Sequence, residues 1–285
     1  MFPYTKFLAV TLVAAVVNGA LGYGFSSITV PLALLFTSSR VLNPALVLVE
    51  VALNGYMVWV NRTAVPGLVR RLMPILIGLV PGVIVGTLIV ATVSQDRLKF
   101  WTLALLLPLI LLQAAGIRRP IKAERAIGLP FGAGLGLLYS LTTLSGPPLA
   151  LLFNNQGLAK DEFRAALATV RLAEASMTAV AYAWAGLFTV TSATLSASIV
   201  PSLLIGVPIG AWLIRRVDAE VFRRTCMSFD AWIVGFGLST LLRALHIIDG
   251  PAAFLVLGAV GLIDAVLLYR FFTVQRRGSL TWSAS

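Results

Sequence analysis

Stretches of about 20 mostly apolar residues, the length that crosses the hydrocarbon core of a bilayer, recur along this chain of 285 residues. Backbone polar groups must pair inside the hydrocarbon, so such stretches fold as helices or closed barrels, and the alternating ten-residue pattern of a barrel strand is absent. Only 12% of the residues are charged, about half the share of a soluble domain. The sequence predicts an all-α polytopic membrane protein with full spans at 41–60, 72–92, 98–116, 165–186, 195–214, 225–245 and 252–272.

Two further apolar segments, 7–36 and 126–153, are interrupted in the middle by residues that disrupt helices. The first contains "GYGFSS" and ends in "VPLALLF", whereas the second contains "TTLSG" and ends in "PPLALLF". Each segment is either a long kinked span or a re-entrant hairpin of two half-helices.

The distribution of basic residues favours hairpins. If both segments enter and leave on the same side and the N-terminus lies outside, 16 of the 22 basic residues fall in cytoplasmic loops. If both segments cross completely, the basic loop at 215–224 lies opposite the loops at 62–71 and 118–125. The positive-inside rule therefore favours the hairpin topology. This clustering also explains the net charge of +11, so we expect no nucleic-acid partner.

The two halves of the chain resemble each other. "PLALLF" recurs 117 residues later, and "PILIGLVP" at 74–81 aligns with "PSLLIGVP" at 201–208. We therefore predict two repeats, each a broken hairpin plus three spans, in residues 1–120 and 121–247, with an additional C-terminal helix and cytoplasmic tail in 248–285. A hairpin plus three crossings reverses direction, so the second repeat is inverted, which is a recurring transporter plan. The alternative is a duplicated membrane protein that does not transport.

Both breaks predict an interior binding site, because unpaired backbone groups must be buried in protein or face a watery cavity. The start of a half-helix offers N–H groups and a positive dipole end to a small anion. The alternative is that these small residues serve close helix packing. The predicted substrate-binding residues at the breaks are Gly22, Gly24, Ser26, Ser27, Thr142, Thr143, Ser145, Gly146 and Pro147.

Ionisable residues within the spans are the second indication of a site, because each needs a partner or a task in the bilayer. Arg171 and Glu174 are three residues apart and can pair on one helix face. They either neutralise each other, or Arg171 binds an anionic substrate. Glu50, with Asn54 one turn later, lies on the corresponding span, so Glu50, Asn54 and Glu174 are the predicted coupling residues. Two more carboxylates, which either bridge helices or meet the membrane interface, are Asp230 and Asp264.

The sequence contains few candidate catalytic residues. It has a single histidine, His246, and a single cysteine, Cys226, with no metal-ligand spacing and no P-loop. We expect no metal, no cofactor and no enzymatic activity, although serine or aspartate chemistry keeps a membrane-embedded enzyme possible. An anion channel and a non-transporting assembly partner are also compatible with the sequence. The expected partners are the lipid bilayer and a small anionic substrate, and a homodimer stays open.

Three stretches resemble the TauE/SafE sulfite-exporter family: "GALGYGFSSITVPLALLF" at 19–36, "GLLYSLTTLSGPPLALLF" at 136–153 and "KDEFRAAL" at 160–167. The resemblance extends over residues 7–245. The residues that match the family's two glycine-rich motifs and the basic residue opening the next helix are Gly22, Gly24, Val30, Pro31, Gly146, Pro147, Pro148 and Arg164. The positions where serine replaces a usual glycine are Ser26, Ser27 and Ser145.

This resemblance implies transport of a small sulfur-containing anion, such as sulfite, sulfoacetate or another organosulfonate. Together with the broken repeats, it predicts a secondary carrier that works by alternating access in the inner (plasma) membrane. A carrier of small organic acids without sulfur is an alternative.

Overall fold

The computed structural model describes residues 4–21, 24–115, 124–154, 158 and 160–275. Nearly all of these residues are helical and none lies in a strand, which confirms the all-α prediction. The helices are α1 (Tyr4–Leu21), α2 (Phe25–Ala33), α3 (Ser39–Val60), α4 (Val65–Thr92), α5 (Gln95–Ala114), α6 (Glu124–Thr142), α7 (Gly146–Asn154), α8 (Lys160–Trp184), α9 (Val190–Leu213), α10 (Ala219–Ala244) and α11 (Leu255–Arg270). A short 3-10 helix, Gly250–Phe254, precedes α11.

Several of these helices can cross a membrane. Five stretches in the described residues are long and apolar enough: Ser39–Val60, Val65–Thr92, Val190–Leu213, Arg224–Ala244 and Gly250–Thr273. They coincide with five of the seven predicted spans. Helices α5 and α8 coincide with the other two, but they are not among these five stretches, so their crossings stay predictions.

Each of the two interrupted segments forms two helices. Helix α1 ends at Leu21 and α2 begins at Phe25, and Gly24 between them has φ +104°, a conformation that glycine adopts without strain. In the second segment, α7 begins at Gly146, three residues after Thr143, which has φ +55°. Of the residues predicted at the first break, Gly22 lies outside the described residues.

Side chains from neighbouring helices satisfy the second break. The Tyr182 hydroxyl of α8 donates to the carbonyl of Ser140. The Asn43 amide of α3 donates to the carbonyl of Leu141 at 2.7 Å. An unpaired carbonyl in a bilayer costs several kcal/mol. These two bonds therefore stabilise the end of α6 at a fixed position beside α3 and α8.

The closest helix contacts are made across glycines. Helix α4 packs along α6, and α1 packs along α9. A Cβ added at Gly82 of α4 would lie 2.0 Å from the carbonyl oxygen of Ala133 in α6. A Cβ added at Gly210 of α9 would lie 1.9 Å from the carbonyl oxygen of Val16 in α1. Small residues permit this close approach in membrane helices.

The additional helix α11 is joined to α10 by a buried ion pair. Arg224 Nη2 lies 2.7 Å from Asp264 Oδ1, and the Trp232 indole N–H donates to Asp264 Oδ2 at 3.1 Å. Asp264 therefore bridges helices, which is one of the two roles expected for it. Arg224, which falls in the predicted basic loop at 215–224, lies instead in α10, and its side chain is buried against Asp264. Asp230 is also buried in α10.

The Gly82→Ala substitution tests the close α4–α6 packing. Its methyl group cannot fit beside Ala133, so the helices must separate, and overpacking of this kind costs about 1–3 kcal/mol. We expect a lower midpoint of thermal unfolding in detergent micelles. Gly134→Ala is the matched control, because a Cβ there meets nothing within 4 Å. Equal midpoints for the two variants would contradict the packing.

Candidate functional site

Three ionisable side chains meet where α3 packs against α8. Glu50 lies near the middle of α3, and Arg171 and Glu174 lie near the middle of α8. Their exposed fractions are 0%, 3% and 0%. In this conformation the cluster is closed to solvent. Burying charge at this depth is costly, so each group depends on its partners.

Glu50 accepts hydrogen bonds from three helices besides its own. Arg171 Nη2 of α8 lies 2.9 Å from Glu50 Oε1. The Ser26 hydroxyl, in the first turn of α2, donates to the same oxygen. The Tyr139 hydroxyl of α6 donates to Glu50 Oε2 at 2.9 Å. Hydrogen bonds to ionised groups are the strong ones, so this carboxylate links α2, α3, α6 and α8.

A serine at the second break hydrogen bonds to Glu174. The Ser145 hydroxyl, directly before α7, donates to Glu174 Oε2 at 2.5 Å. The second oxygen, Glu174 Oε1, has no hydrogen-bond partner within the described parts of the chain. One serine at each break therefore donates a hydrogen bond to one carboxylate: Ser26 to Glu50, and Ser145 to Glu174. The structure thus brings two of the three predicted serines to the predicted carboxylates.

The pairing of Arg171 differs from the expected one. The spacing indicated that Arg171 and Glu174 can pair on one face of α8, but the guanidinium donates across the helix interface to Glu50. Ser145 holds one oxygen of Glu174, while Glu50 presents its Oε1 directly to Arg171 Nη2. One guanidinium faces two carboxylates, so the cluster is neutral only when one carboxylate carries a proton.

The hydroxyls of two predicted threonines hydrogen bond to backbone carbonyls at the second break. The Thr142 hydroxyl donates to the carbonyl of Leu138 at 2.7 Å, and the Thr143 hydroxyl donates to the carbonyl of Thr142 at the same distance. These bonds are local, and neither hydroxyl contacts the charged cluster. Gly146 is the first residue of α7. The side chain of Pro147 lies outside the described residues.

The remaining predicted residues lie close to the cluster in sequence. Gly24 caps the start of α2, where Ser27 is buried. Asn54 is buried one turn after Glu50 on α3, and its Nδ2 has no partner in the ranges that the structure describes. The Arg171 Nε likewise has no hydrogen-bond partner among the described residues. The buried interior therefore contains donors beyond those that Glu50 uses.

Tyr139 is a site residue that the sequence did not predict. It is fully buried, and its hydroxyl completes the hydrogen bonds of Glu50. The available signal was its position: it lies one turn before the break that follows Thr142. A tyrosine hydroxyl in an apolar helix needs a partner when it is buried.

Comparisons with known proteins show what this chain is similar to. The sequence model of the family described as Sulfite exporter TauE/SafE matches residues 7–238. A curated relative, the "Probable sulfite/organosulfonate exporter TauE" of Cupriavidus necator (strain H16), is 28% identical over 175 residues. That alignment covers 59% of this chain and 66% of the relative, just under two thirds of its length. No solved structure matches the chain.

A double-mutant cycle tests the ion pair between Arg171 and Glu50. Arg171→Gln and Glu50→Gln each leave one charge in the buried cluster without its partner, at a cost of about 3–5 kcal/mol. The double variant removes both charges, so its loss of unfolding free energy should be smaller than the sum of the single losses. Equilibrium unfolding in mixed micelles measures the three differences. Strictly additive losses would contradict the pairing.

Proposed function

We propose that this chain, which belongs to the TauE/SafE family of sulfite exporters, is a secondary transporter of a small sulfur-containing anion. Sulfite and organosulfonates are the substrates that the relative's name supports, and we propose sulfoacetate as one such organosulfonate. The observation that carries the proposal is the buried Arg171, which Glu50 holds between two helix breaks. The transporter lies in the inner (plasma) membrane with its basic loops in the cytoplasm.

The helix packing supports two repeats, α1–α5 and α6–α10, within residues 1–120 and 121–247. Helix α1 packs on α9, and correspondingly α6 packs on α4. Helix α3 packs on its counterpart α8, and α5 on its counterpart α10. A smaller pair of contacts also corresponds: α2 packs on α10, and its counterpart α7 packs on α5. Exchanging the repeats therefore reproduces the major contacts between them, as a two-fold relation requires. In our proposal each break is the tip of a re-entrant hairpin, and α11 with the tail, 248–285, is an addition.

The two carboxylates correspond to each other in this scheme, but Arg171 has no counterpart in the first repeat. Glu50 lies on α3 and Glu174 on α8, which are the second helices after the two breaks. Each carboxylate accepts a hydrogen bond from a serine of the break that precedes it. When Glu50 is aligned with Glu174, Arg171 falls opposite Val47. The repeats therefore supply two similar carboxylates and a single cation. We assign anion binding to that cation.

Arg171 has the chemistry for a sulfur oxyanion. A guanidinium is planar, stays charged and donates to two oxygens of one anion at once. The hydroxyls of Ser26, Ser145 and Tyr139 lie around the same carboxylates, so they can donate to further oxygens. The first turns of α2 and α7 add backbone N–H groups at their positive dipole ends.

Glu50 competes with the substrate in this proposal. Its carboxylate already neutralises Arg171, so an anion binds only when Glu50 moves away. A proton on Glu50 removes its charge and releases Arg171. One proton then accompanies each anion, and the empty carrier returns with the ion pair formed. The cycle is reversible, so an internal excess of the anion drives export. Asn54 and Glu174 are the further coupling residues that we propose.

Alternating access explains why the cluster is closed in this conformation. Both breaks contribute groups to the cluster, so movement of either repeat exposes it to one side of the membrane at a time. Binding sites at the interface of inverted repeats work in this way in other carriers. A channel would instead need a continuous polar pore.

The pH dependence of anion binding tests the competition by Glu50. Ethanesulfonate is the probe, because it keeps a single negative charge at all working pH values. The unmodified protein should bind it more tightly as the pH falls. Glu50→Gln mimics the protonated state, so it should bind more tightly at neutral pH and lose the pH dependence. Titration calorimetry in detergent gives both quantities.

Two further variants complete this test. Glu174→Gln is the comparison variant, because Glu174 does not accept a hydrogen bond from Arg171, and it should reduce the pH dependence without abolishing it. Arg171→Gln should lose ethanesulfonate binding at every pH. Binding by Arg171→Gln that equals the unmodified protein would remove Arg171 from the site. Unaltered pH dependence in Glu50→Gln would exclude Glu50 as the coupling group and favour facilitated diffusion.

Cysteine substitutions test whether both breaks line one cavity. Ser26→Cys and Ser145→Cys, each in a Cys226→Ser background, should react with an anionic methanethiosulfonate reagent during turnover, and substrate should slow both reactions. Ser239→Cys is the control, because Ser239 is fully buried in α10 and donates to the carbonyl of Gly235. Mass spectrometry measures the modified fraction. Inertness at both breaks would contradict a shared cavity.

A further inference from the structure

A long apolar groove opens on the outer surface of the molecule between α3 and α9. Its volume is about 620 Å³. The residues that line it include Leu48, Ala52, Tyr56, Val200, Leu204 and Pro208. Several of them are widely exposed, with Leu204 at 72% and Tyr56 at 53%. In a bilayer this groove faces the lipid.

The groove has the length of one leaflet. At one end of the groove, the Ser196 hydroxyl of α9 donates to the carbonyl of Ala45 in α3 at 3.0 Å and joins the two helices. From Leu48 to Tyr56, α3 advances about 12 Å at 1.5 Å per residue. The hydrocarbon of one leaflet is about 15 Å deep. The groove therefore accommodates an acyl chain that enters from one membrane face.

Two tryptophan–arginine pairs lie at the end of the groove. The rings of Tyr56 and Trp59 are 6.2 Å apart, and the Arg62 guanidinium lies 5.4 Å from the centre of the Trp59 ring. On α9, Trp212 follows the last groove residue by one turn, and the Arg216 guanidinium lies 4.1 Å from the centre of its ring. Tryptophans of this kind mark the membrane interface. Both arginines are exposed.

We propose that the α3–α9 groove binds an anionic glycerophospholipid. One acyl chain lies in the groove, and the phosphate lies between Arg62 and Arg216. Apolar lining alone would accept any lipid, so the two arginines supply the selectivity for negative charge. Basic residues between membrane helices bind anionic head groups on the cytoplasmic side of other membrane proteins. The ends of α3 and α9 lie on the face that carries the basic loops.

A second groove, between α4 and α8, provides an internal comparison. It has nearly the same volume, about 630 Å³, and Leu88 and Trp184 lie at its end. The basic residue beside the end of α4 is Arg40, whose guanidinium donates to the carbonyls of Val90 and Ala91 at 3.2 and 3.1 Å. This second groove therefore has the shape for an acyl chain, but among the described residues it lacks a pair of arginines stacked on tryptophans at its end.

Native mass spectrometry of the full chain tests the proposal, with 1-palmitoyl-2-oleoyl-phosphatidylglycerol as the anionic probe and the matching phosphatidylcholine as the neutral one. The unmodified protein should retain the anionic lipid preferentially. Arg62→Gln/Arg216→Gln should lower its affinity about fivefold for each arginine removed. Arg70→Gln/Arg215→Gln is the matched control, because it removes two exposed arginines from the same membrane face. Equal losses in the two double variants would overturn the proposal.

Filling the groove separates lipid binding from a general effect of charge. Ala52→Phe places a ring in the α3–α9 groove, whereas Ala181→Phe places one in the α4–α8 groove. Only Ala52→Phe should release the anionic lipid. Retention of the lipid by Ala52→Phe would overturn the proposal. So would a lipid-free dimer that Ala52→Phe dissociates, because the groove would then be an interface between two copies of this chain.

Discussion

The structure depends on the ion pair between Arg171 and Glu50. Both side chains are buried, and unpaired charges at this depth would each cost at least ~2.5–3.5 kcal/mol on insertion scales. Their pairing fixes α3 against α8, and the bonds that Glu50 accepts from Ser26 and Tyr139 extend the connection to α2 and α6. Breaking the pair therefore affects four helices together. An interaction that is both costly to break and central to the packing is suited to a switch between two arrangements.

The breaks and the charges depend on each other. A helix that stops inside the hydrocarbon leaves carbonyls and N–H groups that need partners. At the second break, Asn43 and Tyr182 satisfy two of these carbonyls, and both come from the helices that carry the charged cluster. The serines at the two breaks in turn hydrogen bond to the carboxylates. The same α3–α8 unit therefore supports the broken backbone and holds the ionisable groups.

Local features of the sequence were sufficient to predict five of the seven spans, the positions of the two interruptions and the three ionisable residues that the structure brings together. Clusters of glycine, proline and hydroxyl residues destabilise a helix, and intramembrane charges stand out in apolar stretches. The partner of Arg171 was not predictable in this way, because Glu174 is its neighbour along α8 whereas Glu50 approaches only after α3 packs. Tyr139 was missed for the same reason: its role follows from a tertiary contact with Glu50, and its own sequence neighbourhood is that of an ordinary apolar helix.

Differences between the proposed repeats indicate where function resides. Glu50 and Glu174 each accept a hydrogen bond from a serine of one break. Only the second repeat has an arginine beside its carboxylate, since Val47 stands opposite Arg171. A second cation at that position would neutralise both carboxylates and leave neither with a reason to take up a proton. With one cation, the two carboxylates and an incoming anion must share it. In our proposal, charge balance in the low-dielectric interior then links anion binding to protonation.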